Sequence, residues 1–310
     1  MKVVDRVMAE SIWEALSNEF TKAAAEAGKS VVTVQGRRHP SSGIALGGDT
    51  VVTVHHALRR DEEIGVVLGP GQRVSARVAG RDPSTDLAVL RLDQPGKLPS
   101  PRWGKTSSLR IGDLLLALAR TRRGNIVASS GILSGYINEP WRTWHGGELD
   151  QFIRPDLNLY PGFSGGPLLN SDGEFLGINT AGLHRGGITI PAATVTRIAA
   201  ELLEKGRVER PYLGLAMQSV PLPESLRGKL NLTASEGLLV VHVEPDSPAE
   251  KAGVLLGDTL LEVQGKPVAD TDAVQSQLRS AKSGSEVECT FIRGGAVTKI
   301  KVKLEARPAR

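Results

Sequence analysis

The sequence predicts a mainly β protein built in two parts, with a helix at its start. Three observations carry this. From Ser30 to about Thr194, short apolar runs alternate with Gly-rich or polar turns, the spacing of a sandwich or of barrels. From about Pro211 to Ala306, strands and short helices interleave, as in a small α+β domain. Before both, Val4, Met8, Ile12, Leu16, Phe20 and Ala24 recur every four residues, the stripe of an amphipathic helix. A chain of 310 residues has ample length for two cores.

Taken in order, residues 1–29 form the N-terminal helical segment. Val31–Val34, Ile44–Leu46, Val51–Val54 and Ile64–Leu68 are the first strands of a domain over 30–205. That domain closes on a helix from Ala193 to Glu204, with Val195, Ile198, Ala199, Leu202 and Leu203 on one face. Lys205-Gly206-Arg207 ends the helix, and 206–210 reads as a linker. The second domain, 211–306, has strands at Gly237–Val243 and Leu260–Val263. Its short capped helix lies at Ser247–Gly253, and a longer one runs from Thr271 to Ala281. The lone Cys289 sits in the alternating strand Val287–Phe291, where it reads as a small core side chain.

Composition excludes more than it identifies. The net charge of +4 is mild, and Arg37-Arg38 and Arg120-Thr121-Arg122-Arg123 are the basic clusters, both read as solvated loops. Nucleic acid is therefore not an expected partner. No segment reaches membrane-spanning length, and no export signal is read before the first helix, which leans the expected location slightly to the cytoplasm, with the periplasm or secretion open if such a signal has been removed. His39, His145, His184 and His242 lack metal-ligand spacing, and no Gly-rich phosphate cradle occurs. No metal, nucleotide or other cofactor is expected.

The chemistry concentrates in three motifs. Gly162-Phe163-Ser164-Gly165-Gly166 places a hydroxyl among small residues whose amides are free to meet an oxyanion, although the pattern also suits a plain turn. Val51–Val54 ends on His55-His56, and Asp82–Thr85 leads to Asp86 at the mouth of the apolar run Leu87–Leu90. The order His, Asp, Ser along the chain is that of chymotrypsin-type enzymes.

These motifs carry a specific resemblance. Thr53-Val54-His55-His56-Ala57 resembles the histidine motif of HtrA/Deg-type serine proteases, Thr85–Leu90 their aspartate motif, and Asp156–Leu168 their serine motif. The resemblance runs from about Ser30 to the chain end. It implies a chymotrypsin-like pair of six-stranded β-barrels with the active site between them, followed by one PDZ domain. It assigns Ser164 as nucleophile, His56 as base and Asp86 as the orienting carboxylate. The Gly162 and Ser164 amides would form the oxyanion hole, with that of Phe163 nearby. Phe163 and Tyr160 stand where the family carries asparagine, and a bulky Phe163 is expected to alter the packing of the serine loop.

By the same resemblance, Asn158 lies near the floor of the primary specificity pocket, unless it turns away to bond backbone. Asn179, Thr180 and Ala181 would run along one wall. With nothing acidic there, the expected preference is for a small or medium neutral residue before the cut. Tyr212-Leu213-Gly214-Leu215 matches the loop whose amides receive a peptide's C-terminal carboxylate, with strand addition beside it. The stretch Asn138–Gly147 reads as a long loop, and its Trp141, Arg142 and Trp144 are candidates for relaying PDZ occupancy to the active site. The N-terminal helix either packs on its own domain or holds protomers in a homo-trimer through Trp13 and Phe20. Only Arg37–Ser42 fills the place of the family's long first loop, which favours a simple trimer over a large cage. The implied function is an ATP-independent serine endopeptidase acting on unfolded proteins. The alternative is a non-proteolytic PDZ-containing chaperone with an inactive triad.

Overall fold

A computed structural model of the chain describes residues 2–306 apart from 38, 97, 145, 280 and 282; the side chains of 2–11 and 279 also lie outside the described set. The Val4 and Met8 side chains of the N-terminal stripe, together with Arg38 and His145, therefore fall outside the described residues. The chain divides into two compact units between Val208 and Glu209.

The first unit starts with α1 (Lys2–Gly28) and continues as β1 (Val31–Gln35), β2 (Ser41–Gly47), β3 (Thr50–Val54), β4 (Ile64–Gly69), β5 (Gln72–Asp82) and β6 (Leu87–Leu92). These strands close into a barrel in the order β1-β2-β3-β6-β5-β4. A second barrel takes β7 (Leu114–Arg120) and β8 (Ile126–Ile137). A two-residue hairpin follows, β9 (Trp141–Arg142) against β10 (Glu148–Leu149), and then β11 (Phe152–Asp156), β12 (Pro167–Leu169), β13 (Phe175–Thr180) and β14 (Ile188–Pro191). Its order is β11-β14-β13-β12-β7-β8, and α2 (Ala192–Lys205) ends the unit.

The side-chain period of two explains why many of these strands read as continuous apolar runs. Val32, Val34, Val51, Ala88 and Leu90 fill the first barrel, while their neighbours Val31, Val52, Val54, Leu87 and Val89 point to a separate core. Leu115, Ala117 and Ala119 likewise fill the second barrel, and Leu116 and Leu118 join the shared core. That shared core is completed by Val195, Ile198 and Leu202 of α2. In β1, β3, β6 and most of β7 both faces are buried, so these strands need no polar alternation, whereas β5 and β8 keep exposed positions. At several kcal/mol per pair of large aliphatics removed from water, this shared core fixes the two barrels against each other.

The N-terminal helix departs from the expected stripe. Among its described side chains, Ala23 and Ala27 are buried and Leu16, Phe20 and Ala24 half-buried. Ile12 and Trp13 remain 63% and 71% exposed. The stretch expected as a long loop at 138–147 contains the β9–β10 hairpin, in which Arg142 pairs with Glu148 and Trp141 with Leu149.

In the second unit, β15 (Pro211–Tyr212) precedes β16 (Leu215–Pro221), α3 (Glu224–Leu230), β17 (Glu236–Val243), α4 (Pro248–Lys251), β18 (Thr259–Val263) and β19 (Lys266–Pro267). Next come α5 (Thr271–Arg279), β20 (Glu286–Arg293), β21 (Ala296–Lys303) and β22 (Glu305–Ala306). The main sheet runs β16-β17-β18-β20-β21, with β19 on β18. Ser247 caps α4 by accepting the Glu250 N–H, with Pro248 at the first helical position. Cys289 is buried in this core, and burial pushes its thiol up to about 12, so it is an inert hydrophobe.

Candidate active site

The histidine and aspartate come together where β3 ends and β6 begins. His56 sits in a single 3-10 turn, His55–Ala57, directly after β3. Its backbone N–H donates to Asp86 Oδ1 at 2.9 Å, and its ring Nδ1 lies 2.7 Å from Asp86 Oδ2. The Asp86 side chain is 5% exposed and that of His56 36%, so the carboxylate is buried and the imidazole reaches water. Asp86 adopts φ of 57°, uncommon for a non-glycine residue, and its carbonyl accepts the His55 N–H at 2.9 Å. Pairing of β3 with β6, down to Val54 opposite Leu87, holds the two residues side by side.

Two further residues complete this pair, and the sequence assigns neither of them there. The Thr180 hydroxyl donates to Asp86 Oδ2, which corrects its expected place on a pocket wall. A side chain at Gly182 would begin 2.7 Å from Asp86 Oδ2 and 2.8 Å from His56 Nδ1, so the backbone there roofs the pair and only glycine fits. Neighbouring His55 has a buried Nδ1 without a partner among the described residues. Burial, aided by Arg81, holds its pKa below the usual histidine range.

The serine loop joins β11 to β12. Ser164 is half-buried, and its Oγ accepts the Ala181 N–H at 3.3 Å. Gly165 and Gly166 are there because the chain passes too close for any side chain. A Cβ on Gly165 would stand 2.0 Å from Ser42 O, and one on Gly166 2.1 Å from Leu118 O. Phe163 in this loop points inward. Its side chain is 3% exposed and joins the core of the second barrel, with its ring 6.1 Å from that of Tyr160. The Phe163 N–H closes a turn onto Tyr160 O at 3.0 Å, so it is no candidate oxyanion donor. Among the described residues, the N–H groups of Gly162 and Ser164 have no such acceptor.

The expected specificity residues divide. Asn158 is exposed and reaches the Tyr160 hydroxyl at 3.3 Å, with no bond to backbone among the described residues. Asn179 is fully buried, donating to Pro167 O and accepting from the Thr189 hydroxyl, so its polar atoms are consumed inside the barrel. Of the four, Ala181 alone stays on the open surface beside Ser164, in a groove lined also by Trp144, Gly182, Leu183, His184 and Arg185. Leu159 is half-buried and packs against the core of the second barrel, close over Gly187.

The three aromatic and basic residues at 141–144 split as well. Trp141 is half-buried against Phe152 and His184, with ring centroids 5.1 and 6.4 Å away, and Arg142 is half-buried. Trp144 is 84% exposed. Between them, the Thr143 hydroxyl donates to Ser84 O at 2.6 Å, two residues before Asp86.

In the second unit, Leu213 is buried and Gly214 has φ of 81°, with Ser247 too close for a side chain. Leu213 O accepts the Ala249 N–H at 2.9 Å, and Gly214 O accepts that of Glu244 at 2.8 Å. With both carbonyls so engaged, the amide side of the loop is turned the other way. β16 follows directly and is an edge strand, paired only with β17 among the described residues. Leu215 and Met217 on it are partly buried against the core to which Val274 and Leu278 of α5 belong.

Comparison with known proteins agrees with this architecture. Residues 41–178 match the family described as "Trypsin-like peptidase domain", and residues 211–304 that described as "PDZ domain". The "Serine protease Do-like HtrA" of Lactobacillus helveticus is 33% identical over 273 residues, covering 84% of this chain and 66% of that protein. A "Probable periplasmic serine endoprotease DegP-like" of Chlamydia muridarum is 33% identical over 265 residues, covering 84% and 52%. The chain thus spans between about half and two thirds of the length of these relatives. Among solved structures, the serine endoprotease from Yersinia pestis aligns with a TM-score of 0.74 at 27% identity, covering 93% of this chain and 98% of that one. The HtrA-type protease AlgW with a decapeptide aligns with a TM-score of 0.74 at 25% identity, covering 94% and 99%.

Proposed function

The chain belongs to the HtrA/Deg type, in which a trypsin-like peptidase domain precedes one PDZ domain, and from that premise we propose an ATP-independent serine endopeptidase that cleaves unfolded or misfolded proteins. The observation that carries the activity is the His56–Asp86 pair, closed by Thr180 and standing against the segment that contacts Ser164. Ser164 Oγ attacks the scissile carbonyl while His56 Nε2 takes its proton. The N–H groups of Gly162 and Ser164 receive the oxyanion, and His56 returns the proton to the leaving amine. Asp86 keeps the Nδ1 proton on its own side of the ring and stabilises the imidazolium. Water then repeats the sequence on the acyl-enzyme.

Ala181, whose N–H meets Ser164 Oγ, is small and apolar and favours a small or medium neutral residue before the cut. Mass-spectrometric site profiling dominated by Lys or Arg would reject that. A C-terminal peptide is proposed to bind the second unit by pairing with the open edge of β16, its carboxylate on the Tyr212–Leu215 loop. Occupancy is relayed through the 141–144 segment, since Thr143 holds Ser84 beside Asp86 and Trp141 packs on His184. Arg142→Ala should abolish any peptide-induced rise in rate; unchanged stimulation would reject the relay. The exposed Ile12 and Trp13 are proposed to bury against other copies in a homo-trimer, which light scattering of the wild type and Trp13→Ala tests. The name of the Chlamydia relative says periplasmic, against the cytoplasmic expectation, so export is proposed and fractionation checks it.

The test is a time course on a natively unfolded casein. Loss of cleavage in Ser164→Ala supports the endopeptidase. Among the described residues Ser164 and His56 share no hydrogen bond, which favours one alternative, a latent triad in a holding chaperone. Casein held but uncut by the wild type, even with PDZ ligand present, would select it.

A further inference from the structure

Ser42, in β2 of the first barrel, is fully buried and bonds to the loop of the second barrel that carries Ser164. Its N–H donates to Ser164 O at 2.9 Å, and its hydroxyl donates to Gly162 O at 2.8 Å. The hydroxyl in turn accepts the Arg120 N–H at 3.0 Å, so its one proton is directed to Gly162. Ser42 O accepts the Thr53 hydroxyl at 2.7 Å, completing the residue's polar groups. The position is rigid from behind as well. The buried Arg120 guanidinium donates to Val31 O and Gly124 O and, at 2.7 Å, to Gly28 O, tying three segments with no carboxylate involved among the described residues.

The other backbone groups of the serine loop are also held. Phe163 O accepts the Gly166 N–H at 2.9 Å, and the Gly165 N–H donates to Asn179 O at 2.8 Å. Gly162 is the soft point: with φ of 103° and no Cβ, it can rotate its peptide planes at little steric cost. Rotation would carry its N–H away from the reacting carbonyl. The Ser42 hydroxyl is the one side-chain group on the Gly162 carbonyl among the described residues.

We propose that Ser42 is a positioning residue for the oxyanion hole: its hydroxyl and amide clamp the carbonyls of Gly162 and Ser164, and by fixing the peptide units that adjoin those bearing the Gly162 and Ser164 N–H groups they restrain how these two groups turn toward the developing oxyanion. The proposal rests on Ser164 being the nucleophile. A clamp of this kind acts on the transition state more than on substrate binding. Losing it leaves Gly162 O and the Arg120 N–H buried without partners, which drives the loop to rearrange.

The experiment compares the full-length wild type, Ser42→Ala and a control, Thr33→Val. Thr33 is also fully buried, and its hydroxyl serves Arg120 O and Thr121 O without touching the serine loop. Melting temperature, kcat and KM on a peptide substrate, and inhibition by a peptide boronic acid are measured; the tetrahedral boronate oxygen occupies the oxyanion hole. Ser42→Ala should lose about 10–100-fold in kcat, with KM within about threefold and boronate inhibition weakened in parallel. Thr33→Val should lower the melting temperature and keep kcat within about twofold. Should Ser42→Ala not fold, Ser42→Cys keeps the shape and weakens the donor; a kcat loss of about fivefold or more then supports the clamp. A kcat within about twofold of wild type in the folded Ser42 variant, or an equal kcat loss in Thr33→Val, overturns it. A wild type that neither cleaves nor binds the boronic acid overturns the reading of Ser164 and this proposal with it. A working wild type with an indifferent Ser42 variant overturns the proposal alone.

Discussion

On the first barrel, Asp86 accepts hydrogen bonds from the His56 N–H, the His56 ring and the Thr180 hydroxyl, with the Gly182 backbone closing over them. On the second barrel, the Ser164 hydroxyl has a single contact of this kind among the described residues, the Ala181 N–H at 3.3 Å. The acid–base half is therefore held from several directions before substrate arrives, whereas the nucleophile is held by its backbone and left free at its oxygen. That asymmetry suits a hydroxyl that must change partners during the reaction, and a base that must not change its tautomer.

The comparison can be broken at its strong side. Asp86→Asn should lower kcat by about four orders of magnitude while the fold survives, because an amide favours the wrong imidazole tautomer. Steady-state kinetics with a circular dichroism control checks this; a loss below about tenfold would mean the pair is ornamental. Gly182→Ala pushes a methyl into the pair at under 3 Å and should cost about 10–100-fold in kcat. Thr180→Val removes one of three donors from the carboxylate and should cost less, about 3–10-fold, with KM unchanged. If Thr180→Val proved worse than Gly182→Ala, hydrogen bonding rather than shape would be the main restraint.

The smallest effect concerns His55. Burial and Arg81 depress its folded pKa below 6.5, so as pH falls the unfolded chain takes the proton first. Its contribution is therefore fully present above pH 6.5 and is lost as pH drops below it. Replacing it by Gln should flatten the fall of melting temperature between about pH 7 and pH 5; an unchanged slope would assign the acid sensitivity elsewhere.

The barrels are legible in the sequence because both faces of several strands are buried, giving apolar runs such as Leu115–Ala119 and Leu87–Leu90 between turns. The three motif residues are legible because each sits at a strand end or in a glycine loop, where local sequence dictates the turn. What stays hidden depends on where side chains point after closure. Thr180 and Asn179 are adjacent on one strand and so face opposite ways, one to Asp86 and the other into the barrel. No motif encodes that choice. Phe163 misleads for the same reason: its size suggests obstruction, but the turn made by its own N–H sends the ring into the core. Ser42 lies about 120 residues before the loop it clamps, and only the pairing of two barrels brings them together.

The most direct test of the central claim is labelling with a fluorophosphonate, which reacts only with a serine activated by a base and supported by an oxyanion hole. Peptide mapping by mass spectrometry should find a single adduct on Ser164, absent from Ser164→Ala and strongly slowed in Asp86→Asn. An adduct on another residue, or labelling of Asp86→Asn at the wild-type rate, would contradict the account.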